Sequence, residues 1–324
     1  MKKGILILLA AFFAAGAFGL GAHAEGGVAK IGDVEYESLQ AAVDAAEDGA
    51  TITMIADNTN GGVMTVAAKP KNITIDLNGH KVNVDGPLVG SAGTVSQSLH
   101  FEKGSNITIT NGTITTDSTS SWMLFQNYAD LTLTDIIVDA TNMQSGAYAL
   151  SNNNGKVTIN GSSSILANAD QYAFDACWGP NVGYSDGTQI TIDTTGDIKG
   201  IMQFDTWGSN DGSTPLSTVT IKNGYFDVQL DMEDIFDNNL FIEGGTFTEE
   251  DIDEYIVDGL EKVDNGDDTW TVKAPEPEIL PAETPEQENP ATVDGIFIAF
   301  GVLGASMLGL LTAIGVLSFI ERRA

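Results

Sequence analysis

Two short segments carry the side chains best suited to chemistry, FDACWG at 174–179 and FDTWG at 204–208. In each, an aspartate follows a phenylalanine and a tryptophan follows closely, ahead of a Gly-, Asn- and Asp-rich run, PNVGYSDG or SNDGSTP. If the segments stack on one another, Asp175 comes beside Asp205 and Trp178 beside Trp207. Two carboxylates about 5 Å apart match the spacing of a retaining glycosidase, with mutual repulsion raising one pKa. Stacking alone forces near that distance on any two equivalent residues, so the arrangement serves a ligand site equally well. Indole faces would then take a sugar ring or a peptide, and polar neighbours its hydrogen bonds. Strand alternation turns Phe174 and Phe204 inward and the aspartates outward, in a column with Gln126 and Ser151. Trp122 and Tyr128 extend this strip, and packing of the tryptophans beneath their own loops is the structural alternative.

Other reactive groups are few. Asp231, Glu233, Asp234 and Asp237 lie close together and are a candidate Ca2+ cluster, as are Asp264, Asp267 and Asp268, but neither has EF-hand spacing. A solvated acidic edge accounts for both. Cys177 is the only cysteine, which excludes an intramolecular disulfide and suits a small buried apolar residue. His80 sits in an Asn-Gly-His-Lys turn at 78–81 and reads as a solvated turn residue. No other cofactor is expected.

The elements that must position these groups repeat. An apolar, polar, apolar phrase starts at Ile73, Ile107, Leu131, Val157, Ile190, Val219 and Leu240, at spacings of 34, 24, 26, 33, 29 and 21 residues. No helical pattern lies between the copies, so the spacing predicts a solenoid of three-stranded coils. Parallel coils stack about 4.8 Å apart, giving a rod of roughly 30 Å. Asn, Gly and Asp between the strands tolerate left-handed backbone and make its corners. Before the copies, VAKIGDVEY predicts a hairpin turning at Gly32-Asp33, and Ser38 caps a helix running through Asp48. Leu39, Ala42, Val43 and Ala46 give that helix one apolar face, which can cover the end of the solenoid. After the copies, Thr248 and Asp251 suggest a capping box opening an acidic helix, EEDIDEYI. A hairpin over the NGDD turn follows.

The termini bound the setting. Residues 1–24 have Lys2 and Lys3, an apolar run and Ala22-His23-Ala24, the pattern of a signal peptide cut by signal peptidase. Residues 296–320 carry no charge and make a helix of about 37 Å, long enough for a transmembrane helix, with Arg322 and Arg323 just beyond. The expected organisation is a signal peptide at 1–24, hairpin and capping helix at 25–49, solenoid at 50–247 and a C-terminal cap at 248–273. A Pro- and Glu-rich stalk at 274–293 and a transmembrane helix with basic tail at 294–324 complete it. Residues 25–293 hold 43 Asp and Glu against 10 Lys and no Arg, a formal charge of −33. Nucleic acid is thereby excluded as a partner, and acidic polysaccharide disfavoured.

IGDVEYESLQAAVDAAEDGATITMIAD, then ITIDLNGHKV, and finally YIVDGLEKVDNGDDTWTV resemble the ectodomains of Gram-positive surface proteins. Those ectodomains are right-handed parallel β-helices similar to the pectate-lyase-like fold, so the implied class is all-β. Asn289-Pro290-Ala291-Thr292-Val293 resembles an NPxT-type sorting signal, which implies cleavage after Thr292 by a sortase and transfer to the cell wall. Enzymes of this fold are carbohydrate-active, either polysaccharide lyases using an Arg or Lys base or hydrolases using clustered Asp, His and an Arg-x-Lys pair. The exported region has no arginine. The resemblance and residues together imply a surface-anchored adhesion module binding a glycan or host protein, with a carbohydrate-active enzyme using Asp175 and Asp205 as the alternative.

Overall fold

The computed structural model describes residues 26–58, 61–91, 94–180, 183–206, 216–232 and 238–276. The signal peptide, sorting motif and membrane span predicted from the sequence lie outside them. Among the described residues no helix is long and apolar enough to cross a membrane.

The protein is all-β, and its strands pair in three parallel ladders. The first ladder contains all seven copies of the repeated phrase in register. Ile73, Ile107, Leu131, Val157, Ile190, Val219 and Leu240 stand directly opposite one another. Two residues on, Ile75, Ile109, Leu133, Ile159, Ile192, Ile221 and Ile242 make a parallel column. Every member of both columns is buried. Because side chains alternate with period two, a one-residue slip would carry both columns to solvent, and this pins the register. Burial of each such side chain is worth about 1.5–3 kcal/mol, which also explains a fold that needs no disulfide.

Sharp corners lead from the first ladder to the second. Asn111, Asp135 and Gly161 occupy equivalent positions and all have positive φ, at 61°, 53° and 64°. Asn and Asp are the side-chain-bearing residues that adopt this conformation most readily. Beyond the corner, Val82, Ile114, Val138, Ile165, Ile198, Phe226 and Phe247 form the inward column of the second ladder. The last two rings stack with centroids 4.7 Å apart.

Both ends are covered. The hairpin of Ala29–Ile31 and Val34–Tyr36 turns at Gly32, as predicted, and pairs onto Thr51–Met54. The helix is shorter than predicted, Leu39–Ala45, because Ala46 turns to extended backbone and Gly49 to positive φ. Ser38 caps it by accepting from the Ala41 amide, and Leu39, Ala42, Val43 and Ala46 are buried. At the other end the predicted acidic helix is absent. The Thr248 hydroxyl donates to the Phe226 carbonyl and to Asp227 rather than capping a helix. Only a one-turn 3-10 helix forms, Asp253–Tyr255, since adjacent carboxylates repel and Ile252 must turn inward. The predicted hairpin closes the end, Glu261–Asp264 against Trp270–Lys273, with Trp270 to Val272 pairing onto Gly245–Phe247.

Candidate functional site

The third ladder contains the FDACWG segment and the described part of FDTWG. It stacks Val63–Met64, Gln97–Phe101, Met123–Asn127, Tyr148–Asn153 and Tyr172–Trp178. The distal parts of the long strands Thr188–Thr206 and Ser217–Met232 complete it. Leu99, Phe125, Leu150, Phe174, Met202 and Leu230 share one column. Two residues on, Asn127 and Asn152 are buried and satisfied: Asn127 donates to Asn152 and Ala129, and Asn152 to the Gly155 carbonyl. These amides pin the chain as it turns towards the first ladder.

Between those columns stands a polar one: His100, Gln126, Ser151, Asp175, Gln203 and Asp231. Gln126 donates to the Ser151 hydroxyl at 3.2 Å, and Ser151 donates to Asp175 at 3.1 Å. The Asn152 amide donates to the other Asp175 oxygen at 2.5 Å. Gln203 donates to Asp231 at 2.8 Å and accepts from the Tyr148 hydroxyl at 3.1 Å. His100 pairs through Nε2 with Glu102 at 2.9 Å, and its Nδ1 is buried without a partner.

Asp175 is 7% exposed. Burial pushes its carboxyl up to about 7, against the opposing hydrogen bonds from the Asn152 amide and the Ser151 hydroxyl, with Asp205 adding to the rise. The group is thus half protonated near neutrality. Burial also raises Tyr148 and Cys177 well above their usual values, which leaves the Cys177 thiol a poor nucleophile.

The expected stacking of Asp175 on Asp205 does not occur. Asp175 faces Gln203, while Asp205 faces Cys177 and Trp178 faces Thr206. The cause is a difference in corner length together with a one-residue register shift between Tyr172 and Phe174. Phe174 lies nine positions after Ile165, whereas Met202, its partner, lies four after Ile198, the partner of Ile165. The earlier repeat turns through residues 168–171, where the Gln171 side chain bonds the Met143 carbonyl. The later one turns at Gly200 alone, with φ 118°, where a Cβ would stand 2.8 Å from the Gln171 carbonyl and 2.9 Å from Ala167. Phe204 still points inward, but one full pleat further along, and Asp205 travels with it. Replacing Gly200 with alanine is expected to destabilise the fold by about 1–3 kcal/mol, read as a lowered thermal midpoint.

Of the proposed ligand residues, Gln126 and Trp178 are buried, the latter 8% exposed. Gly179, the next residue after Trp178, exchanges two hydrogen bonds with the Asn154 side chain. Asp205 is exposed and accepts from the Thr206 amide. Trp207 lies outside the described residues. Glu233, Asp234 and Asp237 also lie outside them, leaving Asp231 as the described member of that cluster. Asp264 and Asp267 bond within their own turn, to the Gly266 amide and the Thr269 hydroxyl. No group of three or more His, Cys, Asp or Glu among the described residues is placed to hold a metal ion. His80 meets Asp57 at 3.1 Å in its turn.

The accessible aromatic surface lies at the start of the third strands. Trp122 is 46% exposed, and its carbonyl accepts from the Tyr148 amide of the next repeat. Tyr148 and Tyr172 stack with centroids 4.3 Å apart and planes within 10°. Sequence reasoning reached Trp122 but missed the tyrosines. Their signal is the pair YAL at 148–150 and YAF at 172–174, the same phrase at the same point of consecutive repeats. Compared with known protein families, curated proteins and solved structures, the chain shows no match.

Proposed function

We propose that the three ladders wind as a right-handed parallel β-helix, and that the chain is a cell-surface module binding a ligand along the third-ladder edge without catalysis. The observation that carries this reading is the exposed Trp122 beside the stacked Tyr148 and Tyr172, with hydrogen-bonding groups on the same ladder. Such a surface is amphipathic and rigid, because Tyr148 is tied to Gln203 through its hydroxyl. Catalysis by paired aspartates fits less well, since Asp175 faces an amide and both its oxygens are engaged.

The enzyme alternative draws on Asp175 titrating near neutrality. Its test is turnover of oligosaccharides by the Asp175→Ala variant: activity in the parent that vanishes in a folded variant would replace the binding reading. For the binding reading, Trp122→Ala is expected to weaken ligand binding at least about tenfold, on the order of 1.4 kcal/mol. Stability should change by no more than about 0.5 kcal/mol, as for other exposed positions. Unchanged adherence of the variant to host cells or glycan surfaces would remove this edge from the function.

Export by a signal peptide, a membrane-spanning C-terminal helix and sortase processing at 289–293 complete the proposal. It is supported by the small residues at 22–24, the uncharged run at 296–320 and the basic pair after it. Mass spectrometry of cell-wall digests should find a C-terminus at Thr292. A mature chain ending at Ala324 would rule out cleavage and leave a plain membrane anchor.

A further inference from the structure

At its C-terminal end the chain closes two of the three ladders and leaves the third open. In the first ladder Leu240–Ile242 follows the long strand Ser217–Met232, and Ile242 is bridged in turn by Ile256, with the Val257 amide donating to the Ile242 carbonyl. In the second, Gly245–Phe247 follows and is covered by Trp270 to Val272. The third receives no such strand. Val228 to Met232 pairs with residues 200–204 on one side, and no described strand pairs with it on the other. The chain instead enters the cap at Thr248, whose amide donates to the Phe226 carbonyl. The third ladder is therefore one strand short, a notch of about 4.8 Å beside the two longer ladders.

An unpaired strand edge presents a row of N–H and C=O groups that can bond a further strand. On this one Val228 is buried and Leu230 and Met232 are half-buried against the core, while Asp227, Gln229 and Asp231 are exposed. An added strand with apolar residues at alternate positions would continue the apolar column, and its other side chains would stand beside Asp227 and Asp231. Lys199, on the neighbouring strand, is paired with Asp197, and the whole chain has a formal charge of −31. Cations are thus attracted to these outward positions and carboxylates repelled. That charge disfavours a second copy of this chain as the added strand. Residues 277–293 of the chain itself also fit poorly, having no Lys or Arg and lacking N–H groups at Pro277, Pro281, Pro285 and Pro290.

We propose that this edge captures an extended basic segment of a partner protein as an additional strand. Its alternate apolar side chains pack beside Val228, Leu230 and Met232, and its Lys or Arg side chains meet Asp227 and Asp231. Main-chain hydrogen bonds supply the affinity and the alternating side chains the specificity. The site is separate from Trp122, so its failure leaves the reading above intact.

The test titrates the full-length chain with three labelled, end-capped heptapeptides: alternating Lys and Val, alternating Glu and Val, and the Lys peptide with its central Val replaced by Pro. The Lys-Val peptide is expected to bind at least about tenfold more tightly than either of the others, and less tightly as salt is added. Hydrogen exchange should slow at amides within 228–232 when it binds. Asp231→Asn keeps an acceptor for Gln203 and should weaken the Lys-Val peptide about threefold. Absence of binding, equal binding of the Glu or Pro peptide, or protection confined to other segments overturns the proposal. So does slow exchange of these amides without peptide: at every protein concentration it would mean that the chain covers the edge itself, and only on concentrating the protein that a second copy does.

Discussion

Replacing Phe125 with alanine is expected to remove about 3–5 kcal/mol of stability, the largest effect of any single substitution considered for this chain. Phe125 is fully buried between Leu99 and Leu150 in the third ladder, and its ring tilts 59° against that of Phe101 at 6.1 Å. Deletion leaves a cavity whose walls cannot close, because neighbouring residues are held in register by ladder hydrogen bonds above and below. Total stability of a domain is only about 5–15 kcal/mol, and with Cys177 as the sole cysteine no cross-link offsets the loss. Urea unfolding should show a lower midpoint with an unchanged slope, and Phe125→Leu should recover most of the difference. A loss below about 1 kcal/mol would mean that the repeats do not pack as one continuous core.

Asp175→Asn is expected to do the opposite, and only in one pH range. Below the ordinary carboxylate value of 3.8 the side chain is protonated in both folded and unfolded chains and contributes nothing to pH dependence. Between 3.8 and about 7 the unfolded chain gives up its proton while the folded chain retains it, so stability falls as pH rises. Above about 7 the full penalty is present, on the order of 4 kcal/mol if the whole displacement applies. The asparagine variant keeps an acceptor for the Asn152 amide and has no proton to lose. It should therefore match the parent at pH 4 and exceed it by about 2–4 kcal/mol at pH 8, in paired chemical-denaturation curves. An equal difference at both pH values would show that burial does not control this carboxyl.

These two residues belong to one ladder and illustrate different parts of its design. Phe125 is one position in a column that any bulky apolar residue could occupy. Asp175 breaks the rule that buried groups be apolar, and it does so opposite Gln203, which accepts from the Tyr148 hydroxyl. A fold that retains a destabilising acid at such a place is consistent with a role beyond packing.

The seven-fold phrase, with Ile, Leu or Val at alternate positions, determined by itself that the chain would be all-β and which residues would face one another in the first ladder. That follows because period-two patterning leaves one register in which both apolar columns are buried. Asn111 and Asp135 announced their corners for a similar local reason, the tolerance of their backbone for positive φ. The N-terminal hairpin and Ser38 cap were equally legible, since turn chemistry and capping act over a few residues.

What only the tertiary structure decided was the third ladder. Its register depends on how many residues each repeat spends turning the preceding corner and on the register shift between Tyr172 and Phe174, and the likeness of FDACWG to FDTWG concealed both. Similar words therefore stand one pleat apart, Asp175 opposite Gln203 and Asp205 opposite Cys177. Exposure was likewise a property of the assembled surface: Trp178 is buried, whereas Trp122 is 46% exposed. Local sequence sets which side of a strand a residue takes. The accumulated length of the corners sets which neighbour it meets, and that neighbour decides its chemistry.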